Sequence, residues 1–156
     1  MENMTGQLLA AARIGDLTTL KSLLAQNAEV NAQDEKGFTP LIIASYNNQK
    51  DAVELLLQSG AEVNLSDLGG NTALMGVCFK GYPEIAELLI SHGADLNLQH
   101  GNGGTALMFA VLFGRNELAK IMLKNGADKT LRDSRGLNAL DIAIQQGNGE
   151  AVELLQ

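Results

Sequence analysis

The residues that could carry chemistry are few. His92 and His100 are the only histidines and Cys78 is the only cysteine, so nucleophilic, acid–base or metal chemistry would have to be built around them. Neither histidine stands at a ligand spacing from the other or from Cys78, and zinc normally takes three or four protein ligands; no metal site is expected. A nucleophilic Cys78 would need a base beside it, and no histidine lies near it in sequence. It is expected to be a small packing residue, and as a lone cysteine it has no internal disulfide partner. The run His100-Gly-Asn-Gly-Gly-Thr105 is glycine-dense and precedes a helix start, two features that let backbone amides cradle phosphate. It lacks a Gly-Lys-Ser/Thr ending and a preceding hydrophobic strand, so it reads as a flexible turn. Asp51, Glu84, Glu117 and Glu150 recur near helix starts, where a carboxylate complements the helix dipole; they form a solvated ridge rather than a catalytic pair. No catalytic residue, cofactor site or metal ligand emerges, and the chain is not expected to be an enzyme. The rival reading, a small-ligand or enzymatic protein, would need an enclosed pocket lined by polar groups.

Those acidic residues are 33 positions apart, and the same step runs through the whole chain. Gly37, Gly70, Gly103 and Gly136 keep it, as do Thr39, Thr72, Thr105 and Asn138, and Leu41, Leu74, Leu107 and Leu140. Gly60-Ala61, Gly93-Ala94 and Gly126-Ala127 form a second series, followed by Asn64, Asn97 and Thr130. Within one unit the residue types specify local structure. Thr39 is placed to cap a helix with its side-chain oxygen, and Pro40 follows at the first helical position, where no amide partner is lost. Leu41 and Ala44 share the buried stripe of that short helix. After a turn at Asn47-Asn48-Gln49, Val53, Leu56 and Leu57 give a second amphipathic helix. Gly60 ends it, because glycine takes the left-handed conformation cheaply; Asn27 fills the same place one unit earlier. Pro83 sits near the start of a second helix, where proline is tolerated.

With Gly-Phe-Thr-Pro-Leu at 37–41, Gly-Ala-Glu-Val-Asn at 60–64 and this period, nearly all of the chain resembles the ankyrin repeat family. The resemblance implies an all-α solenoid of about five stacked helix-turn-helix units joined by hairpin-like loops. The expected division is a single domain, 1–156: an N-terminal capping repeat at 1–33, full repeats at 34–66, 67–99 and 100–132, and a truncated capping repeat at 133–156. Thr18, Thr19 and Ser22 would give the first unit a polar outer face, and Asp141, Gln145, Gln146, Glu150, Glu153 and Gln156 would do so for the last. The third and fourth units depart from the family pattern, with Met75 and Met108 where a histidine usually ties neighbouring turns together. Leu23 with Val30-Asn31, and Leu56 with Val63-Asn64, are similar to the acceptor pattern of asparaginyl hydroxylases; the competing role for those asparagines is hydrogen bonding to the connecting turn.

The resemblance also implies a function: a non-catalytic module that grips a partner protein with its concave face, as an inhibitor, adaptor or assembly factor. Carried over place by place, the partner-binding residues are Arg13, Lys36, Phe38, Tyr46, Leu68, Asn71, Phe79, Lys80, Leu112, Phe113 and Arg135. The chain has two tyrosines, four phenylalanines and no tryptophan, and Phe38, Tyr46, Phe79 and Phe113 all fall on these places. Burying one such ring against a partner contributes roughly 1.5 to 3 kcal/mol. Arg13, Lys36, Lys80 and Arg135 would steer acidic groups of the target. The alternative role for Phe79 and Leu112 is packing between adjacent first helices.

Composition narrows the partners. A formal net charge of −7 at pH 7 and a sequence pI near 4.7 repel phosphate backbones and anionic lipid heads, so neither nucleic acid nor membrane is an expected partner. No apolar run approaches the roughly 18 to 20 residues that span a bilayer, and Met1-Glu-Asn-Met-Thr-Gly6 lacks a basic region followed by an apolar one. A cytoplasmic monomer is the expectation.

Overall fold

A computed structural model describes residues 3–156; Met1 and Glu2, with which the expected first unit begins, lie outside the described residues. Ten helices run in five pairs among the described residues: α1 (Met4–Ile14) with α2 (Leu17–Ala25), α3 (Pro40–Tyr46) with α4 (Lys50–Gln58), α5 (Ala73–Lys80) with α6 (Pro83–Ser91), α7 (Ala106–Leu112) with α8 (Asn116–Lys124), and α9 (Ala139–Gln145) with α10 (Gly149–Leu155). Each first helix packs on its own second helix and on the first helices before and after it, and the second helices contact one another in the same order. The result is two parallel rows, which is the all-α repeat architecture the period predicts.

Helices this short are marginal alone, so capping and tertiary burial must hold them. Thr39, Thr72 and Thr105 are themselves buried, and their hydroxyl oxygens accept the amides of Ile42, Met75 and Met108 at 3.1, 3.2 and 3.2 Å. Asn138 does the same for Asp141 at 2.9 Å, and Asp141 returns the bond to the Asn138 amide at 3.1 Å. The capping box gives Asp141 a structural role while its side chain stays 39% exposed, paired with Arg132 at 3.4 Å. At the other end of the chain, Thr18 and Ser22 are exposed, while the Thr19 hydroxyl donates to Asp16 at 2.6 Å.

Because first helices have neighbours on three sides, α3 is buried nearly all round, through Pro40, Leu41, Ile42, Ile43, Ala44 and Ser45. Second helices bury only one face, as Ala52, Val53, Leu56 and Leu57 do on α4. Leu41, Leu74 and Leu107 form a continuous interior with Cys78, Met75 and Met108.

Neighbouring units are joined by side chains that reach from one loop to the next. Asn31, Asn64 and Asn97 accept the amides of Glu62, Asp95 and Asp128 at 2.9, 2.7 and 2.8 Å. Gln33 Nε2 donates to the carbonyls of Gly37 and Ser66, and Gln99 Nε2 to those of Gly103 and Arg132. The turn tips also bond directly: Leu68 N to Lys36 O at 3.0 Å, Gly101 N to Gly69 O at 2.9 Å and Ser134 N to Asn102 O at 2.9 Å. Gly37 shows why glycine recurs here. Its φ is +83°, and a Cβ would lie 2.7 Å from the Leu68 amide nitrogen, so both conformation and stacking distance exclude a side chain.

Candidate functional site

Every first helix directs the end of its exposed side to the same flank. Tyr46 closes α3, Phe79 lies in the last turn of α5 and Phe113 caps α7; the 33-residue step relates Tyr46 to Phe79 and to Leu112, and Phe113, one place further on, reaches the same flank from the helix cap. The Tyr46 and Phe79 rings are parallel within 9° with centroids 6.1 Å apart, and Phe79 meets Phe113 edge-on at 4.6 Å. Tyr46 and Phe113 are each 42% exposed, while Phe79 is half-buried between them. Phe79 thus packs against both neighbouring rings while keeping part of its own surface exposed. Lys80 lies over Tyr46 with Nζ 5.1 Å from the ring centroid, within cation–π range.

These rings border a groove of about 470 Å³. Phe38, Ile42, Ile43 and Tyr46 form one wall, Phe79, Phe109 and Phe113 the other; Gly76 and Met75 lie in the floor, and Arg13, Asn47, Asp67 and Asn71 bring polar groups to it. The remaining expected contact residues are dispersed. Lys36 lines a hollow near α1 that Arg13 and Phe38 also border. Leu112 and Arg135 line a third hollow with His100 and Phe109. Leu68 stands 80% exposed at a turn tip.

Two of the residues expected to meet a partner also bond within their own turns, Arg135 while remaining exposed. Arg135 binds Asp133 through Nη2 at 2.9 Å and Nε at 3.2 Å, because the tip turn folds it back on the residue two positions earlier. Asn71 donates its amide to Asp67 at 2.9 Å and its side-chain nitrogen to both Asp67 carboxylate oxygens.

Two residues that sequence reasoning passed over belong to the site. Phe109 stacks on Phe113 with centroids 6.5 Å apart and lies 5.0 Å from the His100 ring. Gly76 occupies the place held by Ile43, Phe109 and Ile142 in neighbouring units; a Cβ there would meet Tyr46 Cδ1 at 3.2 Å. Reading the column Ala10, Ile43, Gly76, Phe109, Ile142 down the repeats would have exposed both.

The other chemical candidates are absorbed by structure. His100 replaces the usual turn aspartate, its Nδ1 taking the Asn102 amide at 3.3 Å as Asp34 takes that of Lys36 at 2.9 Å. Gly104 leaves room for its ring, since a Cβ there would lie 2.7 Å from Nε2. The amides of Gly101, Asn102 and Gly103 are spent on Gly69, His100 Nδ1 and the His100 carbonyl, which leaves them none to offer a phosphate. Cys78 is buried, and burial pushes its thiol up to about 12, the opposite of what a nucleophile needs. Among the described residues no group of three or more His, Cys, Asp or Glu side chains could hold a metal ion. No helix among them is long and apolar enough to cross a membrane.

A family model described as ankyrin repeats in three copies matches residues 8–100 and 79–156. The chain belongs to the ankyrin repeat family. Ankyrin repeats generally mediate protein–protein interaction and are typically non-enzymatic. A stretch of 48 residues is 44% identical to Protein VAPYRIN-LIKE from Medicago truncatula. That match covers 31% of this chain and 10% of the plant protein, so the resemblance is local and concerns a small part of its length. In ankyrin terms, the aromatic groove lies on the row of first helices, bordered by the turn tips.

Proposed function

We propose that this ankyrin chain is a non-catalytic module that captures a partner protein on its concave flank, the row of first helices with their turn tips. The observation that carries the reading is the line of Tyr46, Phe79, Phe113 and Phe109 rings along one side of the molecule. Large half-exposed rings gathered at a groove cost hydration in the free protein, and binding recovers it. Arg13, Lys36, Phe38, Leu68, Lys80 and Leu112 contribute at its edges; Asn71 and Arg135 act through the turns they stabilise. The chain acts as a monomer in the cytoplasm. A buried, unactivated Cys78 and the absence of a catalytic pair in the groove favour binding over turnover.

The test is an affinity pull-down from the native cell with wild type and the double variant Tyr46→Ala, Phe79→Ala, followed by direct binding of each recovered protein after purification. One protein bound by the wild type and lost by a variant of unchanged helical signal supports the proposal. Equal recovery by both, or loss that tracks unfolding of the variant, rejects it.

A further inference from the structure

We infer that the hollow over Gly76 is a socket for one bulky apolar side chain carried on an acidic segment of the partner; the inference rests on the binding role proposed above.

The hollow exists because of one residue. At the place where the adjoining units put Ile43 and Phe109, α5 has Gly76, in a helix whose own propensity would favour any other residue except proline. Its backbone is ordinary helix with no positive φ, so no conformational need explains the glycine. A methyl group placed there would stand 3.2 Å from Tyr46 Cδ1, a close contact to which a ring 42% exposed must give way by a few tenths of an ångström. Beyond that contact the glycine leaves open space in the groove that Ile42, Phe79, Phe109 and Phe113 also line. Its walls are apolar and aromatic, which suits a side chain of the Leu, Phe or Trp kind.

Charge specifies what flanks that side chain. Across α1, α3, α5 and α7 the charged residues are Arg13 and Lys80, and there is no carboxylate. Among the described residues neither Arg13 nor Lys80 forms an ion pair. The carboxylate at the groove, Asp67, already accepts from the Gly69 and Asn71 amides and the Asn71 side chain. Asp34, Glu35 and Lys36 line the adjoining hollow. The acids of the helices lie on the second row, at Asp51, Glu54, Glu84, Glu87, Glu117, Glu150 and Glu153, apart from Asp141 on α9, which caps its own helix. The chain as a whole is anionic, yet Arg13 lines the groove and Lys80 stands over the Tyr46 ring at its edge, against the single lining carboxylate of Asp67; at contact range these count for more than charges beyond a Debye length of about 8 to 10 Å.

The experiment selects a phage-displayed random peptide library on the purified protein and measures the recovered peptides, synthesised with a fluorophore, by anisotropy. Peptides with Leu, Phe or Trp beside Asp or Glu are expected. Gly76→Ile, which installs the residue of the neighbouring units, should weaken them about tenfold or more while leaving the unfolding midpoint unchanged or raised. Arg13→Gln with Lys80→Gln should weaken them to a similar degree. Should Gly76→Ile fold poorly, Gly76→Ala serves, with a smaller loss in the same direction. Peptides that bind Gly76→Ile as well as wild type, or that are basic, overturn the socket but leave the proposed binding function standing. Recovery of no peptide above background overturns both. Self-association of the wild type lost in Gly76→Ile, or uptake of a small apolar dye with no peptide recovered, overturns the inference by assigning the hollow to a second copy or a small ligand.

Discussion

Gly37 and Gly136 occupy the same place in two units and differ in one respect, which makes them a controlled test of the stack. Their φ values are +83° and +80°, so replacing either with alanine forces an L-residue into the left-handed region at about 1 to 2 kcal/mol. At Gly136 nothing lies within 4 Å of the added Cβ, and the strain is the whole effect. At Gly37 the Cβ would stand 2.7 Å from the Leu68 nitrogen and 3.0 Å from Asp67 Cα, backbone atoms that cannot swing aside. The turn of the next unit must retreat, losing the bond from Leu68 N to Lys36 O. Overpacking adds about 1 to 3 kcal/mol and the lost bond about 1. Gly37→Ala is therefore expected to destabilise by about 3 to 6 kcal/mol against about 1 to 2 for Gly136→Ala. With a urea slope of about 2 kcal/mol/M, the midpoint should fall by about 1.5 to 3 M in the first variant and by about 0.5 to 1 M in the second. Gly103→Ala, with a Cβ 2.9 Å from Asp133 Cα, should behave like Gly37→Ala. Equal midpoints for Gly37→Ala and Gly136→Ala would show that the turns do not press on one another, and the argument for a stack bonded tip to tip would fail.

Ser45 Oγ is buried with no hydrogen-bond partner, and other units place Ala12, Cys78 and Val111 there; Ser45→Ala should stabilise the protein by about 1 kcal/mol in chemical denaturation, and a loss would reveal a bond that the hydroxyl makes. Asn64 accepts from Asp95 N and donates to Gly93 O, so Asn64→Ala should cost about 1 to 3 kcal/mol, whereas an unchanged midpoint would mean the loops are held by other groups. The thiol of Cys78 should resist an aromatic disulfide reagent at pH 8 in the native protein and react once unfolded; fast native labelling would contradict its burial. At Asp133, burial raises the carboxyl, but the Leu137 amide and Arg135 outweigh it and hold the group below its ordinary 3.8. A depressed folded value contributes stability that is present above 3.8 and is lost as the pH falls below it. Asp133→Asn should accordingly flatten the acid limb of a midpoint-against-pH curve, and an acid limb identical to wild type would show that Asp133 does not contribute to it.

Taken alone, the linear chain determined the repeat and its internal grammar. Threonine caps, a proline at N1, glycines at turns and apolar spacing of three and four are local devices, each acting within a few residues, so they can be read without knowing what lies opposite. The parallel stacking of Tyr46 on Phe79 followed from the same regularity, because equal spacing in a stack means equal orientation, whereas Phe113, 34 residues past Phe79, meets it edge-on. What needed the folded molecule was everything that depends on absence or on competition between units. Gly76 in a line of letters is a glycine in a helix; only beside Tyr46 and Phe109 is it an opening. Arg135 in sequence is a free cation, and only the geometry of its turn brings Asp133 to 2.9 Å. The physical reason is that helix caps and turns are set by neighbours along the chain, whereas a groove is the space left between side chains that different units contribute.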